Sequence, residues 1–166
     1  MALFTIDPYM DPFNIIDYFQ LFSHAIGHQD WAHLLGNFSF ILLIGPMLEE
    51  KYGSANLLKM MLLTALITGL LNVLLFQSGL RGASGIVFML ILLSSVVNVR
   101  RGEIPLTFVL VVLLFLGREI TSIFRQDNIS QFAHILGGIC GGFFGFYQNS
   151  RPKISGRKPS GKIGQM

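Results

Sequence analysis

The sequence predicts an all-α, polytopic membrane protein, and three observations lead there. Of 166 residues, 52% are hydrophobic and 13% charged, with a mean hydropathy of +0.60, and the charges are crowded into a few short places. Whole segments are apolar all round, as expected where lipid rather than water lies outside. These segments also lack the alternation of barrel strands, and in lipid an intrahelical ladder is then the remaining way to satisfy the backbone. A sliding window of about 19 residues places five spans, at 32–48, 55–76, 83–99, 104–122 and 132–148.

The first 31 residues hold no span and no basic region ahead of an apolar one, so no cleavable signal peptide is expected. Span one opens at His33 and carries Asn37, and the following Glu49-Glu50-Lys51-Tyr52-Gly53 reads as a helix-end turn, its acids paired with Lys51 or backbone. Span two carries Asn72, span three opens at Ser84 and carries Asn98, and span five opens at His134. Span four, IPLTFVLVVLLFLGREI, reads as a lipid-facing helix. Polar groups in hydrocarbon are costly, so those in the spans should face protein or water. Residues 1–148 form one transmembrane domain in this reading. Residues 149–166, rich in Gly, Ser, Pro and Lys, are expected to be a disordered basic tail.

Lys and Arg set the orientation. The segments before span one, between two and three, and between four and five hold 3 of them, Arg81, Arg118 and Arg125, against 9 on the other side. The tail is therefore expected in the cytoplasm, and the acidic N-terminal stretch with Asp7, Asp11, Asp17 and Asp30 outside the cell membrane. The basic tail is also suited to rest on anionic membrane lipid. With that orientation His33, Ser84 and His134, each at a helix start, share the depth of the outer leaflet.

Helix spacing adds detail. His33 and Asn37 are i and i+4, so both project from one face with Asn37 one turn deeper. After His134, glycines at 137, 138, 141 and 142 form a doubled small-residue ladder, which admits a neighbouring helix backbone to backbone. Gly82-Ala83-Ser84-Gly85 at the start of span three is the best-matched partner. Such a contact brings Ser84 and His134 within hydrogen-bond reach, the pairing of a nucleophile with its base. Phe88, i+4 from Ser84, is placed to stack on the His134 ring. No carboxylate lies on an outer-leaflet span near His134, which leaves a Ser–His dyad without the usual third member.

In order and spacing, His24-x-x-x-His28-x-x-x-x-His33-x-x-x-Asn37, the Glu49–Gly53 turn, Gly82-Ala-Ser84-Gly85 and Ala133-His134-Ile-Leu-Gly137 with Gly141 resemble the rhomboid intramembrane serine proteases. The resemblance covers about residues 20 to 148. It implies a rhomboid-like helix bundle in which Ser84 is the nucleophile and His134 the general base and acid. It further implies that His33, Asn37 and the Ser84 backbone N–H line an oxyanion hole, with His24 and His28 above and beside the site. Substrates would be transmembrane proteins, cut near the outer leaflet at helix-weakening residues, with span four as the family's gate. The sequence departs from the family twice. The first of the usual six core helices is absent, and Phe19-Gln20 stands where many members carry Trp-Arg, so that loop is expected to pack differently.

Other readings use the same residues. Ser84 alone reads as a helix cap or packing residue, and His24 and His28 read equally as satisfied interfacial histidines. Their i, i+4 spacing would suit a metal, but no HExxH and no carboxylate in register accompanies it, and the single Cys140 rules out a multi-cysteine site. No metal, cofactor or nucleic-acid partner is expected, and nothing in the sequence sets an oligomeric state. The alternative to a protease is an inactive rhomboid-like protein that binds or escorts membrane clients. A small transporter would want mid-membrane charges, and none is seen.

Overall fold

The protein is seen in a computed structural model, which describes residues 2–76, 79–99 and 128–150 together with Leu106, Val109 and Leu113. The described chain is helical. After a 3-10 turn at Ala2–Phe4 come α1 (Ile15–Ser23), α2 (Trp31–Tyr52), α3 (Ser54–Leu75), α4 (Ser84–Val99) and α5 (Asn128–Ser150). Helices thus stand where spans one, two, three and five were expected, with shifted ends. The helix expected at 132–148 starts a turn earlier and runs through Asn149 and Ser150, the first two residues of the expected tail, whose remainder lies outside the described residues. Of span four, Leu106, Val109 and Leu113 are described, all helical and exposed. The rest of it lies outside the described residues.

Local chemistry explains the boundaries. Asn14 caps α1 by accepting from the Ile16 N–H, and Asp30 caps α2 by accepting from the His33 N–H at 2.7 Å. Between α2 and α3 only Gly53 intervenes, at φ 80, a conformation that suits a residue without Cβ. At this joint Glu49 accepts from the Ser54 hydroxyl, while Lys51 sits 5.4 Å from the Tyr52 ring centroid. The Ser54 hydroxyl is thus a partner of Glu49 beyond the expected Lys51 or backbone. The Ser54 hydroxyl is at hand because α3 begins one residue after Gly53.

Among the described residues two helices, α2 and α3, are long and apolar enough to cross a membrane. At 22 residues each they span about 33 Å. One side of α2 is a run of exposed Leu35, Phe38, Leu42, Leu43 and Met47, as lipid contact requires. The core sits around α4, whose Val87, Met89, Leu90, Ile91 and Leu93 are all but inaccessible and pack with Leu48 of α2, Met60 of α3 and Cys140 of α5. A helix buried on nearly every side has no polar face, which is why 85–93 reads as uniformly apolar.

The main contact of α4 is with α5. A Cβ on Gly137 would collide with the Gly85 carbonyl, and one on Gly141 with the Met89 carbonyl. A four-residue step on one helix matches a four-residue step on the other, so the two run parallel and touch backbone to backbone. The second pair of glycines behaves differently. Gly138 has only the Leu92 side chain at ordinary contact distance and Gly142 faces open space. The doubled ladder expected from the sequence is therefore a single close seam, because 138 and 142 are turned away from the seam that 137 and 141 form.

Candidate active site

Three helix starts converge at one end of the bundle. Loop 79–83, ahead of α4, meets the start of α2: a Cβ on Gly82 would stand 2.8 Å from His33 Cε1 and 3.1 Å from Nε2, so the His33 ring lies on the Gly82 backbone. Gly82 has φ +130, a region that only glycine enters without strain. Two residues on, Ser84 begins α4 and is partly exposed, while Gly85 lies against the Ala133 carbonyl of α5. His134 follows Ala133, is 9% exposed, and its imidazole lies flat on Phe88 with ring centroids 4.5 Å apart and planes 13° apart. Phe132, near the beginning of α5, packs on Phe76 at the end of α3 with centroids 4.8 Å apart.

The other candidates divide between this cluster and its frame. Asn37 sits one turn beyond His33 on α2, is 6% exposed, and its Nδ2 has no hydrogen-bond acceptor among the described residues. The His28 ring meets His33 edge to face at 5.2 Å, and its Nδ1–H donates to the Ile26 carbonyl. His24 points elsewhere. Its Nε2–H donates to the Ala65 carbonyl of α3 at 3.1 Å, and its own carbonyl accepts from the Gly82 N–H at 2.9 Å. Burial holds the His24 imidazole below its ordinary pKa, the Ala65 bond offsetting part of that shift. His24 and His28 do not form the helical i, i+4 pair that a metal site would use, because α1 ends at Ser23 and turns follow.

Several residues around the cluster escaped the sequence reading. Asp30 carries a visible signal, an Asp three residues before His33, as an N-cap requires. Asn14 and Asp17 are spaced as in a capping box, and Asp17 accepts from Asn14 Nδ2 at 2.6 Å and from the Asp11 N–H at 2.7 Å. Gln20, in the position where Trp-Arg was expected, is 2% exposed and pairs with Asp7 through its amide. Ile6, also 2% exposed, forms an antiparallel bridge with Leu80. No local pattern announces that last pairing.

Residues 16–151 match the family model of the Rhomboid domain. The chain belongs to the rhomboid family. It is similar to the rhomboid protease GlpG of Haemophilus influenzae, with 26% identity over 136 residues that make up 80% of this chain and 71% of that protein. A rhomboid is an integral membrane protein, in keeping with the apolar α2 and α3 and the lipid-facing side of α2. The matched region begins within α1 and takes in every residue of the three-helix cluster.

Proposed function

We propose that this rhomboid is an intramembrane serine endopeptidase working by a Ser84–His134 dyad. The observation that carries the reading is the α4–α5 seam, where Gly137 against Gly85 brings the start of α5 to the start of α4 and Phe88 holds the His134 ring. In the chemistry this supports, His134 takes the proton of the Ser84 hydroxyl as the oxygen attacks the scissile carbonyl. His134 then returns the proton to the leaving amine, and water resolves the acyl-enzyme by the reverse sequence. Stacking on Phe88 does the orienting that a third, acidic member does elsewhere.

Asn37 supports the oxyanion assignment. A buried amide donor without an acceptor costs about 1–3 kcal/mol, and that cost is offset if the acceptor arrives with the substrate. The His33 ring on Gly82 and the Ser84 N–H are the other donors, each such group worth about 10²–10³ in turnover. His28 packs against His33 and limits its ring positions.

Location defines the substrate class. α4 has 16 residues, about 24 Å against a hydrocarbon core of about 30 Å. If its far end reaches the cytoplasmic surface, Ser84 lies below the outer one. A hydroxyl at that depth meets transmembrane segments of other proteins, and those must unwind before a carbonyl can be attacked, which favours Gly or Pro near the cut. Five spans on hydropathy, and a C-terminal tail in the cytoplasm beneath the cell membrane on the Lys and Arg distribution, complete the reading.

A fluorophosphonate probe tests it. Labelling of the wild type with loss in Ser84→Ala and in His134→Ala is expected. A folded wild type that stays unlabelled would overturn the protease reading and leave the client-binding one.

A further inference from the structure

The loop that delivers Ser84 is held by a part of the chain with no catalytic chemistry of its own. Ile6 exchanges two backbone hydrogen bonds with Leu80, its N–H donating to the Leu80 carbonyl at 2.9 Å and its carbonyl accepting from the Leu80 N–H at 3.3 Å. The Ile6 side chain is buried and its Cδ1 reaches Gly69 of α3, where a Cβ would stand 3.0 Å from it. The segment around Ile6 is itself tied to α1 on both sides. The Ser23 hydroxyl donates to the Leu3 carbonyl, the Phe4 carbonyl fills the space over Gly27, and Asp7 pairs with Gln20. A further tie to the loop runs from the Gly82 N–H to the His24 carbonyl, again in the N-terminal unit.

We propose that residues 3–7 form a strap that positions the nucleophile, with Ile6 as the positioning residue: by pairing with Leu80 it sets the path of loop 79–83 and thereby the aim of the Ser84 hydroxyl. The inference rests on Ser84 being the nucleophile. Gly82 makes the strap necessary. A glycine at φ +130 leaves the loop many conformations, of which only one lays the Gly82 backbone under His33 and starts α4 at Ser84. Ties on both sides of Arg81, at Leu80 and at Gly82, select that one. Gln20 in place of the Trp-Arg pair fits the same scheme, because its buried amide is what holds Asp7 and so the end of the strap.

The test compares three full-length variants. Ile6→Pro deletes the amide that donates to Leu80, whereas Ile6→Ala and Ile6→Val keep it and change only the anchor against Gly69. Four quantities are read: fluorophosphonate labelling rate, kcat and KM on a transmembrane peptide with a central Gly, thermal midpoint, and amide exchange of segment 79–88. Ile6→Pro is expected to lower labelling and kcat about 10²-fold, the scale of an ångström-sized misplacement, with KM changed by less than about twofold. Its Leu80 and Gly82 amides should exchange faster while the rest of α4 keeps its protection. Ile6→Ala should fall between, and Ile6→Val should restore the wild-type rate.

A folded Ile6→Pro that labels at the wild-type rate, or whose segment 79–83 exchanges no faster, overturns the strap. If Ile6→Pro does not fold, the other two decide, and equal labelling of Ile6→Ala and Ile6→Val overturns it as well. A wild type that is never labelled removes the protease reading instead. The exchange comparison then still tests the strap by itself.

Discussion

The α4–α5 seam and the N-terminal unit both hold the surroundings of Ser84, but they do so with opposite physics. The seam is steric: Gly137 on Gly85 and Gly141 on Met89 leave no room for a side chain, and the contact is backbone on backbone along parallel helices. The N-terminal unit is polar and piecewise, made of single hydrogen bonds that link Asp17, Gln20, Ser23, His24 and Ile6 to backbone, amide or carboxylate partners. A steric seam tolerates no added atom and is indifferent to proton activity. A polar frame tolerates changes of size yet loses a discrete amount with each donor or acceptor, and it includes the buried imidazole of His24.

Substitutions can break the contrast, beginning with the most severe. Gly137→Leu should prevent α4 and α5 from closing and cost at least about 3 kcal/mol, seen as a collapse of the thermal midpoint, whereas Gly142→Ala on the open side should stay within about 0.5 kcal/mol. Equal losses at the two positions would refute a one-sided seam. Next, Phe88→Ala should leave the fold intact but lower fluorophosphonate labelling about 10²-fold by freeing the His134 ring, and a normal rate would show that stacking does not orient the base. In the polar frame Asp17→Ala removes the acceptor of two hydrogen bonds and should cost about 1–3 kcal/mol by denaturation in detergent. The smallest effect is the pH response of His24.

The sign of that response follows from burial. The folded state holds His24 below its ordinary pKa, so between about 6.5 and that lowered value the unfolded chain binds a proton that the folded one does not. Stability should therefore fall as pH drops below about 6.5 and be flat above it, as far as His24 contributes. His24→Gln, which keeps an amide donor for the Ala65 carbonyl, should flatten the slope. A midpoint with the same pH slope in wild type and variant would show that His24 does not titrate on unfolding.

Much of the seam was legible in the sequence. Glycines at 137 and 141 with Gly85 as partner, and Phe88 one turn from Ser84 facing His134, follow from 3.6-residue periodicity, because within one helix the direction of a side chain is fixed by its number. The idle face at Gly138 and Gly142 was not, since periodicity alone cannot tell which of two adjacent glycine rows meets a neighbour. For the frame the local signals were present, Asn14 with Asp17 and Asp30 with His33, but the stretch had been valued by charge alone. Asp17 proved to be a buried hydrogen-bond acceptor, a role its charge does not reveal.

By itself the sequence determined the lipid setting, the helical character of the chain, and the residues from which the family is read. Hydropathy and helical period are properties of short windows, and a membrane converts them directly into position. Only the tertiary structure decided what holds the loop before Ser84. Ile6 meets Leu80 through backbone atoms that every residue but proline possesses, brought together by the packing of α1 and α3, and a pairing made of common atoms leaves almost no mark on the residues that make it.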